Sequence, residues 1–413
     1  MSGAPGLEVG RPIRGVIRVG WLYSDGVLTR DMAVRLDRGE LGDVLPAVDL
    51  ETDSEVIAEY PDALLHPGLV NAHAHLDLTG DPVEHRSGAP FTDWLASVRQ
   101  SRMDRSDHEL REAVMRGVAE LVRGGVTWVV DFSAGSISEE ILAESGVHAV
   151  VLRELIGLTP ERSQVVLEEA RGWLESPSFP SVQRGLAPHA PYSASSALVR
   201  ESHELRSGLL GSIHVAEDLD ERRFLEEGTG SFCDFLTRLG IAEAAFPKPG
   251  KSVIPYLDHL GVLDESTLLV HANDLRSEEI AVIAQRGCPV IFCPGTHRYF
   301  DRPTHPLPKL LEAGVPVALG TDSSASNHEL SMRGEMRTVR QMFPELSART
   351  VVDLGIAADF ADRLPGGGTL RRAEPANFAV TRVEEADPLE SFIQTPGVAE
   401  LTVARGRLLW RRA

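Results

Sequence analysis

The chain has 413 residues, of which 42% are hydrophobic and 25% are charged, as in ordinary globular proteins, and it is long enough for one large barrel or several smaller domains. Its formal charge of -20 would repel nucleic-acid phosphates and anionic membrane surfaces, so we expect neither as a partner. Three cysteines without a CxxC pair argue against a disulfide framework, and no run of about 18 apolar residues is present, so we expect a cytoplasmic protein.

The two ends of the chain share one pattern. Residues 12–60 and about 372–411 carry short alternating apolar runs separated by turn residues, which is typical of antiparallel strands. Because short isolated hairpins are only marginally stable, we expect the two ends to pair with each other. The prediction is one small β-sandwich domain built from residues 1–62 and 370–413.

The middle of the chain, residues 63–369, alternates short apolar runs with longer amphipathic segments. Helices are predicted at 107–123, 160–173, 277–285 and 328–343, where apolar residues recur at helical spacing. The near-continuous apolar runs fit strands that are covered on both faces. Eight such strands indicate a (β/α)8 TIM barrel. They are predicted at 64–71, 126–132, 147–152, 184–188, 210–215, 268–271, 289–293 and 315–321.

The first predicted barrel strand ends in the phrase PGLVNAHAHLD, which contains His73 and His75. Residues i and i+2 of a strand point to the same side, and at the carboxyl end of a barrel strand that side is the floor of the active site. Two imidazoles placed there can bind one cation. An isolated HxH fits two partly exposed polar residues equally well, so the rest of the pattern has to decide.

Further metal-ligating residue types follow other predicted strands. His189, His214 and His271 end the fourth, fifth and sixth strands, and Asp322 follows the eighth. Catalytic groups of barrel enzymes come from the ends of several different strands. One histidine at such a position arises easily by chance, but this repeated placement favours a metal site over satisfied core polar groups.

The ordered phrases PGLVNAHAHLD, SIHVAE, LVHA and LGTDS resemble the amidohydrolase superfamily, and they resemble most its one-metal branch of deaminases and chlorohydrolases. Many members of that superfamily hold two ions bridged by a carboxylated lysine on an inner strand. No lysine lies between His75 and His214, so the resemblance implies a single divalent ion. Its ligands would be His73, His75, His214 and Asp322, with zinc as the first expectation and iron as the alternative.

The same resemblance implies roles for residues near the ion. Glu217, in the phrase HVAE, would shuttle protons between the activated water and the leaving nitrogen, although an acidic residue there could instead cap the following helix. His271 and Asp322 would act together, with Asp322 accepting a proton from the attacking water and His271 steadying the developing oxyanion. All three are therefore predicted as catalytic.

Substrate contacts are predicted with open alternatives. His189 in APHAPYS would touch substrate or act behind the ligands, and Arg153 and Arg298 are either substrate contacts or surface residues. The phrase CPGTH departs from the family's Cys-Pro-x-Ser-Asn at Thr296 and His297, which leaves the substrate open. The predicted substrate-binding set is His189, Arg153, Trp94, Arg298 and Ser323.

The leading functional hypothesis is hydrolytic deamination of an amino-substituted purine or adenine nucleoside-like heterocycle by metal-activated water. One alternative is hydrolysis of another C-N or C-Cl bond, as in a cyclic amide or a halogenated heterocycle. A second alternative is a non-catalytic barrel that binds a ligand. The expected partner is a small heterocyclic substrate. The sequence does not reveal the oligomeric state, but relatives are often dimers or larger, so a homodimer is one candidate assembly.

Overall fold

The computed structural model describes residues 7–80, 83–84, 88–247, 249–360 and 368–413. Within these ranges the strands form two sheets. The strands, in chain order, are β1 (Gly15–Ser24), β2 (Val27–Asp37), β3 (Glu40–Pro46), β4 (Val56–Pro67), β5 (Leu69–Ala74), β6 (Val126–Ser133), β7 (His148–Leu155), β8 (Val182–Pro188), β9 (Gly211–Val215), β10 (Thr267–His271), β11 (Val290–Phe292), β12 (Val317–Leu319), β13 (Phe378–Arg382), β14 (Leu401–Ala404) and β15 (Arg407–Arg411).

The helices lie mainly between the barrel strands. In chain order they are α1 (Phe91–Asp104), α2 (Asp107–Arg123), α3 (Ile137–Ser145), α4 (Pro160–Glu175), α5 (Ser196–Arg206), α6 (Leu219–Glu227), α7 (Ser231–Arg238), α8 (Val253–Leu260), α9 (Ser277–Arg286), α10 (Pro294–Tyr299), α11 (Leu307–Glu312), α12 (Met332–Met342), α13 (Ala348–Gly355) and α14 (Pro388–Gln394). All four predicted helices are present, although the last begins at Met332, after the N-cap Ser331. No helix in the described ranges is both long and apolar enough to cross a membrane.

Strands β5 to β12 form an eight-stranded parallel sheet in sequential order, which confirms the predicted (β/α)8 barrel. The last strand returns to the first, because Asp322 bridges Ala74 and its backbone N–H donates to the carbonyl of His73 at 3.0 Å. Alternate residues of the strands, such as Val70, Phe132 and Leu152, meet in one buried apolar cluster that fills the interior. The carboxyl ends of all eight strands therefore converge on one mouth.

Both chain ends contribute to the second sheet, a mixed seven-stranded sheet in the order β15-β14-β13-β4-β1-β2-β3. Apolar residues from both of its halves, including Ile17, Val34, Phe378 and Val403, share a single cluster. The terminal strands thus form one mixed sheet, and apolar residues from both chain ends share one core. The paired chain ends agree with the sequence-based expectation.

One predicted strand is misplaced. The first barrel strand was expected at 64–71, but β4 of the terminal sheet runs to Pro67, past the predicted domain boundary at residue 62, and the barrel strand β5 begins at Leu69. Residues 63–67 pair with β13, and nothing in their apolar pattern distinguishes a sheet strand from a barrel strand. Gly68 lies between the two strands. The position requires glycine, because a Cβ there would lie 2.0 Å from the Thr127 Oγ1 atom.

Candidate active site

Four side chains converge at the mouth of the barrel: His73 and His75 from β5, His214 from β9, and Asp322 after β12. The Nε2 atoms of His73 and His75 lie 3.6 and 3.8 Å from Oδ1 of Asp322. The ring centre of His214 lies 5.0 Å from that of His73 and 5.7 Å from that of His75. All four residues are buried. His73, His75 and Asp322 form one group whose ligand atoms could hold a metal ion, and His73, His214 and His271 form a second, so His73 is common to both.

The hydrogen bonding of these imidazoles fits a cation. Within the described part of the chain, neither ring nitrogen of the fully buried His73 has a hydrogen-bond partner, and neither does Nδ1 of His75. Burying such groups without partners costs free energy that a bound ion would offset. The Nδ1 atom of His214 lies 2.6 Å from the carbonyl oxygen of His189, which leaves its Nε2 free for a metal.

Burial sets the charges of the cluster. It lowers the pKa of His75 to about 4 and holds the pKa of His214 well below its usual value, so both rings are neutral at neutral pH, the form that binds metals. Burial alone would raise the pKa of Asp322, but the nearby imidazole of His73, 3.6 Å away, holds it below its usual range. The site thus offers neutral nitrogen donors and one ionised carboxylate.

Four non-glycine residues at these strand ends have left-handed backbone conformations. Ala216, His271, Ala272 and Asp322 are not glycines, yet their φ angles are 47°, 73°, 53° and 56°. Such left-handed conformations cost roughly 1–3 kcal/mol each and persist only where surrounding structure enforces them. Here the Ala272 N–H donates to the carbonyl of Val215 at 2.9 Å, tying the ends of β9 and β10 together. The strain aims the side chains of His271 and Asp322 at the mouth of the barrel.

Glu217 is buried beside the four residues. Its Oε1 lies 3.6 Å from Nε2 of His271, and its Oε2 accepts a hydrogen bond from the Tyr192 hydroxyl at 3.4 Å. Burial raises the pKa of Glu217 well above its usual value, against the opposing charge of Arg302. The helix-cap alternative does not hold, because the N-cap of α6 is Asp218, whose side chain accepts from the Asp220 N–H. Glu217 is therefore a buried carboxyl with a raised pKa, in contact with His271.

His271 is almost fully buried, and both its side chain and its backbone carbonyl make contacts at the site. Its ring centre lies 5.4 Å from that of His214 and 5.7 Å from that of His73. His305 holds its backbone, since the His305 Nε2 atom lies 2.9 Å from the His271 carbonyl oxygen. The His271 ring thus lies between the imidazole cluster and Glu217.

His189 and Ser323 also lie next to the predicted ligands. Besides supporting His214 through its carbonyl, His189 has Nδ1 at 2.7 Å from the Ser193 hydroxyl and Nε2 at 3.9 Å from Oε1 of Glu154. Ser323 is buried directly after Asp322. Of the two roles left open for His189, the structure shows the supporting one, and its partly exposed ring can still meet a ligand.

Two predicted substrate contacts lie away from the site. Arg153 on β7 is directed outward, with its guanidinium 5.9 Å from the Trp173 ring and 3.8 Å from Glu169 of α4, because alternate residues of β7, such as Leu152, face inward. Arg298 is exposed and donates to Gln341 at 3.0 Å. Arg298 thus lies on the surface and Arg153 is half-buried against α4, and substrate contact by either stays a prediction.

Trp94 lies near the mouth but is already engaged. Its indole N–H donates to the carbonyl of Ala325 at 3.2 Å, and its ring packs on Phe91 and Phe300 at 5.6 and 4.9 Å between ring centres.

Thr296 and His297, where the sequence departs from the family phrase, contact neighbouring loops. The Thr296 hydroxyl lies 2.9 Å from that of Ser326, and His297 Nδ1 lies 2.9 Å from Oδ1 of Asn273. These residues fasten the loops around the site together.

Sequence reasoning missed two arginines. Arg102 of α1 pairs with Asp77 and donates to Glu154 at 3.0 Å; burial would raise the pKa of Glu154, but His189 and Arg102 lower it to about 2. Arg302 is buried beside Glu217, on the wall of a cavity of about 490 Å³. Strand alternation could have identified Glu154, since it must face inward if Arg153 faces outward. No spacing rule distinguishes Arg302 from Arg298.

The chain is similar in sequence to known proteins of one family. A model of the amidohydrolase family matches residues 64–354. Aminodeoxyfutalosine deaminase of Deinococcus radiodurans is 33% identical over 334 residues, which cover 76% of this chain and 76% of that protein. 5-Methylthioadenosine/S-adenosylhomocysteine deaminase 2 of Archaeoglobus fulgidus is 28% identical over 348 residues, covering 81% and 76%.

Two solved structures share the fold. Aminofutalosine deaminase of Helicobacter pylori, in complex with methylthio-coformycin, superposes with a TM-score of 0.82 at 22% identity and covers 96% of this chain and 100% of that one. An adenosine deaminase of Xanthomonas campestris with bound zinc gives 0.77 at 23% identity, covering 96% and 93%. At this level of identity the structures support the architecture alone.

Proposed function

The chain belongs to the amidohydrolase family, and from that premise we propose that it hydrolytically deaminates the adenine base, or a similar aminopurine, of a nucleoside-like substrate. The observation that carries the proposal is the position of His271: it contacts the buried acid Glu217 and lies beside His73, whose buried ring nitrogens have no hydrogen-bond partner among the described residues. Metal-assisted deamination needs both: a place for a cation and a group that moves protons. The names of the related deaminases support the substrate class.

In this proposal His73, His75 and Asp322, which form one group able to hold a metal ion, bind one divalent ion together with His214, which groups with His73. Zinc is the proposed metal and iron the alternative. When bound there, the ion supplies a Lewis acid that brings the pKa of a water close to neutrality. The protein contributes imidazole nitrogens and one ionised carboxylate that are already oriented. The backbone carbonyl of His189 accepts a hydrogen bond from Nδ1–H of His214. The Ser326 hydroxyl donates a hydrogen bond to Oδ2 of Asp322 at 3.2 Å. Both contacts orient the ligands.

Glu217 moves the protons in this proposal. Because burial keeps its carboxyl protonated, it first gives a proton to the ring nitrogen beside the carbon that bears the amine. Its carboxylate then takes a proton from the attacking water and delivers it to the amine, which leaves as ammonia. Asp322 accepts the proton of the new hydroxyl, which becomes the oxo group, and passes it back to Glu217. His271, neutral because burial holds its pKa well below the usual value, donates to the oxygen as charge develops on it.

The decisive experiment is an ammonia assay with the zinc-loaded protein. The panel contains adenosine, 5'-deoxyadenosine, methylthioadenosine, aminodeoxyfutalosine and guanine. A chlorotriazine and a cyclic amide are tested separately as alternative substrates, by chloride release and by ring opening. We expect ammonia from at least one adenine nucleoside and the corresponding oxo-purine as product. Turnover of only the chlorotriazine or the amide would replace deamination by the other hydrolysis, and a protein that binds no divalent ion would leave a non-catalytic barrel.

We also propose that the enzyme works in the cytoplasm on a freely diffusing small molecule, as a homodimer. Cys233, Cys288 and Cys293 form no disulfide, as a reducing compartment favours. The net charge of -20 supports a partner that is neither a nucleic acid nor an anionic membrane surface. Light scattering of the purified protein tests the dimer.

A further inference from the structure

The turn after β9 carries Glu217 and has an unfavourable backbone conformation. Ala216, directly before Glu217, has a φ of 47°, which a residue with a Cβ adopts only where its surroundings enforce it. The Ala216 carbonyl accepts the Asn273 N–H at 3.0 Å, and the Val215 carbonyl accepts the Ala272 N–H at 2.9 Å. The direction of the Glu217 side chain therefore depends on contacts from other segments.

Glu221 of α6 holds the backbone N–H of Glu217. Its Oε2 atom accepts from that N–H at 2.9 Å, and the Glu221 side chain is almost fully buried. Within the described ranges its Oε1 atom has no hydrogen-bond partner, so Oε2 makes the contact with the turn. Burying a carboxyl costs free energy that few contacts offset, so the position of Glu221 indicates a role at this turn.

The simpler alternative is that Glu221 caps the start of α6. An acid at the third position of a helix often accepts from the N-cap N–H. Here the N-cap is Asp218, whose own side chain accepts from the Asp220 N–H, and the contact of Glu221 reaches past Asp218 to Glu217. The contact thus fixes the turn that precedes the helix.

Asn273, after β10, holds the carbonyl of Glu217 and lines the cavity of about 490 Å³ beside it. Its Nδ2 donates to that carbonyl at 3.1 Å, and its Oδ1 lies 2.9 Å from Nδ1 of His297. Because a carbonyl only accepts, the amide nitrogen must face Glu217 and the amide oxygen must face His297. Burial lowers the pKa of His297 to about 4, so its neutral ring donates from Nδ1. His297 thereby fixes the amide of Asn273.

We propose that Glu221 and Asn273 are positioning residues that hold the proton shuttle Glu217 by its N–H and its C=O, with His297 fixing Asn273 in turn. This inference rests on the proposed deaminase function and adds the groups that place its acid. Proton transfer needs a donor–acceptor distance of roughly 2.6–3.2 Å, and a displacement of about 1 Å can cost about 100-fold in rate. Neither residue has to touch the substrate for this role.

Glu221→Leu tests the first contact, because leucine is of similar size but offers no acceptor. We expect kcat of the zinc-loaded protein to fall by about 10- to 100-fold while KM and zinc content stay nearly unchanged. Glu221→Gln should retain most of kcat, since its amide oxygen can still accept from Glu217. Burial raises the pKa of Glu221 to about 8, so the carboxyl is mostly neutral at pH 7, as an amide is. The matched control is Glu226→Leu, the same substitution at a partly exposed acid of α6 that pairs with Arg276 at 2.9 Å, and it should leave kcat unchanged.

Asn273→Leu tests the second contact by removing the donor to the Glu217 carbonyl without adding charge. It should lower kcat in the same way and leave zinc content unchanged. Wild-type kcat in both leucine variants would overturn the proposal. So would a lower Tm with unchanged kcat in Glu221→Leu, because that pattern indicates a helix cap, or an equal loss of kcat in Glu221→Gln.

A double-mutant cycle separates positioning of Glu217 from an effect elsewhere. In the Glu217→Gln background there is no shuttle to place, so adding Glu221→Leu should lower kcat little further. If the two losses multiply in full, Glu221 acts independently of Glu217 and the proposal is wrong.

Hydrogen–deuterium exchange distinguishes failure of the proposed function. If no compound releases ammonia, deamination is wrong, and the hold on Glu217 is judged from exchange of the peptide that contains residues 215–218. Faster exchange in Glu221→Leu than in Glu226→Leu and the wild type would support the hold. Equal exchange in all three would overturn it.

Discussion

The Nδ1 atom of His214 lies 2.6 Å from the carbonyl oxygen of His189. This contact joins the ends of β8 and β9 and assigns the proton of His214 to Nδ1, so that Nε2 is the atom presented to the mouth of the barrel. The phrase APHAPYS is therefore important for its backbone as well as for its histidine ring.

Replacing Glu217 with Gln tests the proton shuttle. Since Glu217 is buried as a protonated acid and the amide is nearly isosteric with it, the fold and metal content should persist. We expect kcat to fall by about 100- to 10,000-fold, the range usual for loss of a general acid-base group. The control is Glu345→Gln, which removes an exposed carboxylate at the rim of the same cavity. Loss of bound zinc in Glu217→Gln would show that the residue is structural.

Removing the metal should destabilise the protein. Without an ion, the ring nitrogens of His73 and Nδ1 of His75 stay buried without partners among the described residues, whereas a ligand at a hundred times its Kd adds about 2.7 kcal/mol to the free energy of unfolding. Chelation should therefore lower Tm, and added zinc should restore it. In His73→Ala the zinc-dependent rise in Tm should disappear. A Tm that ignores zinc in the wild type would contradict the ligand assignment.

Acid should destabilise the fold through a histidine remote from the metal site. Burial lowers the pKa of His148 from 6.5 to about 4, with the charge of Arg405 adding to the effect. Its neutral form stabilises the fold fully above pH 6.5, and that stability is lost as pH falls from 6.5 towards 4, because only the unfolded chain then takes up the proton.

The check is the free energy of unfolding from denaturant titrations between pH 7 and 4. His148→Gln can keep the bond to Oδ1 of Asn377, which is 2.8 Å long in the wild type. Over this window it should reduce the slope of stability against pH by up to one proton, or about 1.4 kcal/mol per pH unit. An unchanged slope would mean that His148 does not titrate as expected.

Glu335 should support the metal ligand Asp322 from a distance. Its two oxygens accept from the Gly295 N–H and from Asn327 Nδ2, both at 2.6 Å, and so tie α10 to the loop after β12, whose Ser326 donates to Asp322. Glu335→Ala should weaken zinc binding by about 10- to 100-fold, as loss of groups behind metal ligands usually does.

A chelator competition assay measures that zinc affinity. Glu329→Ala is the control, because Glu329 is an exposed acid near the same loop whose only described ion pair is with Arg337, at 3.4 Å. Equal zinc affinity in Glu335→Ala and the wild type would exclude the supporting role.

Much of the fold could be read from local patterns. Continuous apolar strands and amphipathic helices repeat along the chain, and each such unit carries its own periodicity, so the barrel and its strand order were predictable. The error at residues 64–67 arose because β4 and β5 are both buried apolar strands, and only pairing with β13 assigns the first of them to the terminal sheet.

Which arginines face the site could not be predicted from the sequence, for a different reason. Whether Arg153 or Glu154 faces inward depends on the register of β7 against its neighbours, which a single strand does not reveal. Arg298 and Arg302 belong to the same short segment, and their exposure depends on where that segment packs against α1 and α12.

The sequence by itself therefore determined the family, the barrel and the residue types for one metal ion, because those follow from short motifs at strand ends and from the absence of lysine between His75 and His214. Only the tertiary structure decided that the pKa of Glu217 is raised, that the His189 carbonyl orients His214, and that Arg302 is less exposed than Arg298. Burial and contact between distant segments control protonation and exposure, and neither is a property of local sequence.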